Sequence, residues 1–198
     1  MIRLSPGRAE SRGATLLEVL ISAGLMGLVA MGVYYVMSAG LRYVRVTNAT
    51  IDVQRRCMLA LVGLTRELGE SSPRSFFSDG TGLTFASPRD NLGALRYDLG
   101  SRLLWQKCVA YYVTPVEGIP CLVRVEKALP KPVAKVPDPV PLSTMRAEIT
   151  EKPRIISRDI VSFTTSTTSP VELSATAAIT DGERDFKVTI TSKVTLKN

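Results

Sequence analysis

Three cysteines and one glutamate that stands alone in an apolar segment are the residues whose type and position together most suggest chemistry in this sequence. The chain contains no histidine, which removes the commonest general base, the commonest metal ligand and every Ser-His or Cys-His nucleophile pair. Cys57, Cys108 and Cys121 are too few and too widely spaced to form a zinc site without histidine. We therefore predict that the protein is not an enzyme and that it binds no metal or cofactor.

Disulfide formation is the remaining chemistry open to the cysteines. Cys108 and Cys121 flank a predicted hairpin, and outside the cytoplasm a bridge between them would close a loop of about 14 residues and contribute about 3 kcal/mol. The alternative is two buried free thiols on neighbouring strands, because the hairpin register decides whether the side chains meet. Cys57 lies on the apolar stripe of a predicted helix and is interpreted as a small buried residue.

Glu18 interrupts a long apolar segment. From Ala14 to Ala39 the residues are almost continuously apolar, and Glu18 is the only charge before Arg42. A bilayer-crossing helix requires roughly 20 such residues, so we predict a transmembrane helix over 14–41. A carboxylate inside that helix costs about 2.5 to 3.5 kcal/mol unless it is paired or protonated. We expect Glu18 either to reach the headgroups from near the helix start or to have a dedicated partner.

The residues before the apolar segment favour one orientation. Arg3, Arg8 and Arg12 precede the helix, and no small-residue signal-peptidase site closes a short apolar core. By the positive-inside rule the leader stays in the cytoplasm and the residues after Arg42 lie outside it.

The segment RGATLLEVLIS, residues 12–22, resembles the class III signal of type IV prepilins and pseudopilins. The resemblance implies that residues 1–13 are a leader peptide, that a prepilin peptidase cuts after Gly13 and that the new N-terminal residue, Ala14, is methylated. It also implies that Glu18 neutralises the terminal amine of a neighbouring subunit during docking. Ala14 stands where the family usually has phenylalanine.

Residues 42–70 continue the helix with a different pattern. Apolar residues at spacings of three, four or seven predict an amphipathic helix that ends near Gly69, before Pro73. The stripe consists of Val46, Val53, Cys57, Leu61, Leu64 and Leu68.

The remainder, 71–198, shows strand patterns separated by turn residues. The predicted strands of the first block are Leu83–Ser87, Ala94–Leu99, Arg102–Gln106, Val109–Thr114 and Cys121–Glu126. Its predicted core residues are Leu83, Phe85, Leu95, Tyr97 and Leu103. Two alternating segments joined at Asp181-Gly182 predict a later hairpin. Together these patterns predict an α+β protein with the helix on an antiparallel β-sheet, which is the type IV pilin-like fold that the resemblance implies.

Five prolines between residues 129 and 142 predict an extended surface loop with neither helix nor sheet. It is interpreted either as a contact arm for another subunit or as a variable loop. The net charge of +7 is spread over the chain, so we predict no direct contact with nucleic acid.

A second, weaker resemblance concerns the β-rich part. The segments LTFASP, ALRYDL, SRLLWQK, VAYYV, CLVRVE and FKVTITSKVTLKN are similar to W-type minor pilins and J-type minor pseudopilins. This implies a minor pilin that primes or caps a type IV pilus, with a minor pseudopilin of type II secretion as the alternative. A membrane-anchored binding domain is the alternative from another class.

The resemblance also implies partners and a location. The partners are other major and minor pilins or pseudopilins, the prepilin peptidase, the inner-membrane assembly platform and a tip adhesin. The chain is expected to cross the bacterial inner membrane once, with its β-rich domain in the periplasm, and then to enter the filament.

Overall fold

The computed structural model describes residues 15–148, 152–181 and 184–197. The chain divides into two compact units, one up to Val46 and one from Thr47 onward. Helix α1, Leu16–Gly69, contributes to both units. A continuous helix is therefore confirmed from Leu16 to the predicted end at Gly69, while Ala14, where the helix was predicted to begin, lies outside the described residues.

The second unit contains eight described strands in two antiparallel sheets. The strands are β1 (Phe77–Ser78), β2 (Gly82–Ser87), β3 (Trp105–Val116), β4 (Ile119–Val133), β5 (Arg154–Arg158), β6 (Ile160–Thr165), β7 (Val171–Asp181) and β8 (Arg184–Val194). The first sheet has the order β1-β2-β3-β4-β5, and the second has the order β6-β7-β8. A 3-10 turn, Pro73–Ser75, follows α1, and a short helix, α2 (Leu142–Glu148), precedes β5. The α+β class is confirmed, although the strands form two sheets where one was predicted.

The main core lies where the second half of α1 meets both sheets. Within the predicted stripe, Val53, Cys57, Leu61, Leu64 and Leu68 are buried, while Val46 is half-buried. Ala60 joins the stripe, and the sheets contribute large side chains to the same cluster. These include Leu83, Phe85, Tyr111, Leu122, Phe163 and Leu173. The helical spacing therefore identified the face of α1 that drives packing of this unit.

The opposite face of the first sheet has its own small core under α2. Leu142 and Met145 of α2 pack on Cys108, Ala110 and Val125. The first sheet is thus covered on both faces, which explains why every residue of β2 is buried. At the start of β2 the chains approach so closely that a Cβ on Gly82 would lie 2.6 Å from the Leu142 side chain and 2.8 Å from the Tyr111 carbonyl oxygen.

Two of the predicted strands are wrong. Residues in Ala94–Leu99 and Arg102–Gln106 form only isolated bridges until β3 begins at Trp105. The cause is local turn chemistry, because Asp90 accepts hydrogen bonds from the amides of residues 92 and 94, and Asp98 accepts them from residues 100 and 102, all at 2.8 to 2.9 Å. Such aspartate turns compete with a regular ladder.

The core prediction for this block was partly wrong for the same reason. Leu83 and Phe85 are buried as predicted, and Leu103 is half-buried. Leu95 and Tyr97 are 39% and 57% exposed, because the aspartate turns hold them outside the continuous ladder.

The proline-rich segment also differs from its prediction. Strand β4 extends to Val133 and includes Pro130 and Pro132. A register shift opposite Gln106 leaves residues 129–132 without paired residues in β3, and a proline at such a position removes no ladder hydrogen bond. The segment also ends at a buried residue, Leu142, which begins α2.

The later hairpin is confirmed. Strands β7 and β8 pair from Val171 opposite Val194 to Asp181 opposite Arg184, while residues 182 and 183 lie outside the described part of the chain. The alternating residues Val171, Leu173 and Ala175 are buried against the helix.

Replacing Leu64 with alanine should destabilise the second unit by about 2 to 5 kcal/mol, because it leaves a cavity in the main core. The matched control is Leu59→Ala on the same helix, since Leu59 is 58% exposed and Leu64 is 0% exposed. Urea unfolding of the full chain in detergent can be followed by the fluorescence of Trp105, the single, buried tryptophan. Equal losses for the two variants would contradict this packing.

Candidate functional site

Helix α1 begins with a reciprocal pair of hydrogen bonds. The amide of Thr15 donates to Glu18 Oε2 at 3.1 Å, and the amide of Glu18 donates to Thr15 Oγ1 at 3.3 Å. This is a capping box, which satisfies two backbone donors at the helix start. The carboxylate also lies at the positive end of the helix dipole. Sequence reasoning missed this role of Glu18, although the spacing Thr-x-x-Glu signals it.

Of the residues predicted for processing and docking, only Glu18 belongs to the described part of the chain. Gly13 and Ala14 lie outside the described residues. Glu18 lies in the first turn of α1, and its Oε1 atom has no hydrogen bond among the described residues. A carboxylate can accept at both oxygens, so capping leaves acceptor capacity for a second donor.

The first unit presents an exposed apolar helix. All described residues from Leu16 to Arg45 are exposed, and more than half of them have large apolar side chains. The helix is long and apolar enough to cross a membrane. Apolar surface of this extent indicates contact with lipid or with another protein.

The candidate disulfide is contradicted by the strand register. Cys108 is opposite Lys127, and Cys121 is opposite Thr114. Their positions are six ladder pairs apart, roughly 20 Å at 3.4 Å per residue, whereas a disulfide requires Cα atoms within about 7 Å. Both are buried free thiols, as the alternative prediction stated, and burial raises the pKa of Cys108. Cys57 is likewise buried and free.

Residues from α1, β3 and β4 form a partly buried ionic cluster, which we define as Glu67, Lys107, Tyr111, Arg124 and Glu126. Arg124 contacts Glu67 at 3.1 Å and Glu126 at 2.6 Å, and Lys107 contacts Glu126 at 2.8 Å. Tyr111 donates a hydrogen bond to Glu67 at 3.1 Å. Lys107 and Arg124 are only 6% and 9% exposed. Buried charges are tolerated when they are paired in this way.

The cluster shifts the protonation equilibria of its members. Burial raises the pKa of Tyr111, and the neighbouring Glu67 carboxylate raises it further, so the phenol stays protonated. Burial opposes ionisation of Glu126, but hydrogen bonds from Lys107 and Arg124 outweigh it and lower the pKa of that carboxyl. Sequence reasoning missed the cluster because its members are far apart along the chain.

A cavity of about 310 Å³ adjoins this cluster. Its basic lining residues are Arg89, Lys107, Arg124, Lys152 and Arg154. Arg89 forms a two-bond ion pair with Glu70, with both distances 2.6 Å. Within the described residues no cluster of cysteine and carboxylate side chains is arranged to hold a metal ion. The arrangement is suited to charge recognition by ion pairs and hydrogen bonds.

Comparisons of the chain with protein-family models, with curated proteins and with solved structures found no match.

The ion pair between Glu70 and Arg89 should make stability depend on pH. The hydrogen bond from Arg89 lowers the pKa of Glu70, so the pair stabilises the folded state above the unfolded pKa of about 4.3, and this contribution is lost as pH falls through the lower folded pKa. Glu70→Gln should reduce the free energy of unfolding by about 1.5 to 3 kcal/mol at pH 6 and by less at pH 3.

Urea unfolding at both pH values measures this difference. The matched control is Glu172→Gln, which changes an exposed carboxylate in the second sheet. An equal loss at pH 3 and pH 6 for Glu70→Gln would contradict the assigned ion pair.

Proposed function

We propose that this chain is a type IV pilin-like filament subunit, specifically a minor pilin that primes or caps a pilus. The N-terminal segment carries the proposal. A basic leader ends at Gly13, and Glu18 lies four residues after Ala14, at the start of an exposed apolar helix. The same helix continues into the core of a β-rich unit.

Glu18 supplies the charge for docking. Cleavage after Gly13 would leave the amine of Ala14 as a new cation near the start of the apolar helix. A neighbouring subunit's Glu18 would bind that amine through the carboxylate oxygen that the capping box leaves open. Pairing the two charges reduces the cost of placing both in an apolar environment.

In this proposal the apolar helix lies first in the inner membrane and later in the filament. Before assembly its exposed side chains contact lipid in the inner membrane, with the β-rich unit in the periplasm, and after assembly they contact the helices of neighbouring subunits. Gly24, Gly27 and Gly32 have open space where a side chain would be, which allows close approach of another helix. The partners are other pilins, the prepilin peptidase and the inner-membrane assembly platform.

The minor pseudopilin alternative shares the leader, Glu18 and the apolar helix. The two proposals differ in the machine that loses function with the subunit. A minor pilin supports surface pili, whereas a minor pseudopilin supports export of folded proteins through an outer-membrane channel.

Co-expression with an active prepilin peptidase should convert the chain into a form that begins at Ala14 and carries an N-methyl group. Intact-mass and N-terminal analysis of the membrane-extracted protein measure the conversion. A Gly13→Val variant should remain uncut because a branched side chain replaces the glycine at the cleavage site. A Met1 start for the parent chain, while a reference prepilin is cut in the same cells, would contradict the proposal.

Replacing Glu18 with leucine should reduce incorporation into sheared filaments by at least tenfold while membrane insertion is retained, because leucine favours the membrane but cannot pair with an amine. Immunoblots of the sheared and membrane fractions measure both quantities. This change also removes half of the capping box, which contributes about 1 kcal/mol.

Thr15→Val separates the two roles of Glu18. It removes the hydroxyl that caps the Glu18 amide but keeps the carboxylate, so this variant should still assemble. Normal incorporation of Glu18→Leu would contradict the docking role of Glu18, whereas absence of the parent chain itself from sheared filaments would favour a simple membrane anchor. Equal loss in both variants would assign the defect to the helix cap.

A further inference from the structure

We propose that the cavity beside the ionic cluster binds a carboxylate-bearing segment of a partner protein. We call it the basic cavity and define it by its five basic lining residues, Arg89, Lys107, Arg124, Lys152 and Arg154. It lies within the unit that begins at Thr47. This binding role does not depend on the filament role proposed above.

The inner cations of the basic cavity are already neutralised. Arg124 pairs with Glu67 and Glu126, and Lys107 shares Glu126. Arg89 is paired with Glu70 outside the lining. These contacts fix the inner wall, because each buried charge has a partner with good geometry.

The two outer basic residues of the cavity, Lys152 and Arg154, differ from the inner ones in their ion pairing. Lys152 and Arg154 are exposed and have no ion pair with any residue that the structure describes. The third acidic lining residue, Asp90, is paired with Arg96. Among the described residues, the cavity therefore presents two uncompensated positive charges, both on exposed side chains, which attract an anion.

The register of β4 and β5 places two lining arginines opposite each other. Arg154 on β5 is directly opposite Arg124 on β4, and like charges in a cross-strand pair are destabilising. An anion bound near Arg154 would offset that repulsion. An arginine guanidinium can also donate two parallel hydrogen bonds to a carboxylate, which gives the site geometric as well as electrostatic selectivity.

The lining favours a carboxylate over nucleic acid. Glu67 and Glu126 also line the cavity and neutralise Arg124 and Lys107, which leaves too few cations to follow a continuous phosphate backbone. Two uncompensated cations match one or two carboxylates. None of the described lining residues is aromatic, so none of them offers a ring on which a base could stack. A volume of about 310 Å³ lies at the small end of ligand cavities and suits an acidic side chain at the end of a protein segment.

Fluorescence anisotropy of the full chain in detergent can test the site. The probe is a fluorescein-labelled peptide with three consecutive acidic residues, compared with the same peptide carrying the corresponding amides. We expect the acidic peptide to bind at least tenfold more tightly than the amide peptide. The double variant Lys152→Gln with Arg154→Gln should weaken binding of the acidic peptide at least tenfold.

The matched control is Lys187→Gln with Lys193→Gln. These lysines are exposed on β8, in the other sheet, and their loss changes the net charge by the same amount. Binding by this control should change less than twofold. Equal weakening in both double variants would overturn the proposal, since attraction would then come from net charge alone. Unchanged urea midpoints confirm that both variants are folded.

Two competitors distinguish other ligands. A single-stranded oligonucleotide that displaces the peptide at equal or lower concentration would overturn the proposal in favour of nucleic acid. Free glutamate that competes as well as the peptide would overturn it in favour of a small molecule. The purified chain requires neither peptidase nor filament in this assay, so failure here and failure of the filament proposal are distinguishable.

Discussion

Burial of one stripe of α1 between two sheets is the constraint on which the second unit depends. Val53, Cys57, Leu61, Leu64 and Leu68 are at most 3% exposed, and they form a single cluster with side chains of both sheets. In the described ladders no strand of β1–β5 pairs with a strand of β6–β8, so this shared apolar cluster is a principal connection between the two sheets. A helix with a wider polar face could not perform this role, because it would leave one sheet face without a partner.

The ionic cluster illustrates how the same packing sets electrostatics. Helix α1 buries its apolar stripe and thereby places Glu67 next to Tyr111 and Arg124. Arg56 and Asp159 form an ion pair between α1 and the loop before β6 in the same way. The apolar contacts determine where the backbones of these residues lie, and this places opposite charges next to each other. Pairing is required there because an unpaired buried charge would be costly. The polar contacts therefore specify the arrangement more than they drive its formation.

Glu18 shows how one carboxylate can satisfy two physical requirements. In the single chain it completes the capping box of α1 through Oε2, and in the proposed filament it would use its other oxygen for a neighbouring amine. A helix start is a suitable place for both roles because the backbone donors and the dipole stabilise negative charge there. The exposed apolar helix that follows is compatible with lipid and with other apolar helices, so the proposed transfer between them requires no refolding of that segment.

Local patterns explain which elements could be predicted. The amino-acid sequence by itself determined the long helix, its buried stripe and the β7–β8 hairpin, because apolar periodicity and turn residues act over a few positions. The tertiary structure alone decided the division into two sheets, the separation of Cys108 from Cys121 and the assembly of the ionic cluster. These features depend on strand register and on contacts between residues such as Glu67 and Arg124, which are 57 positions apart. A shift of one residue in a ladder reverses the faces of every side chain, so these contacts depend on the exact pairing of the strands.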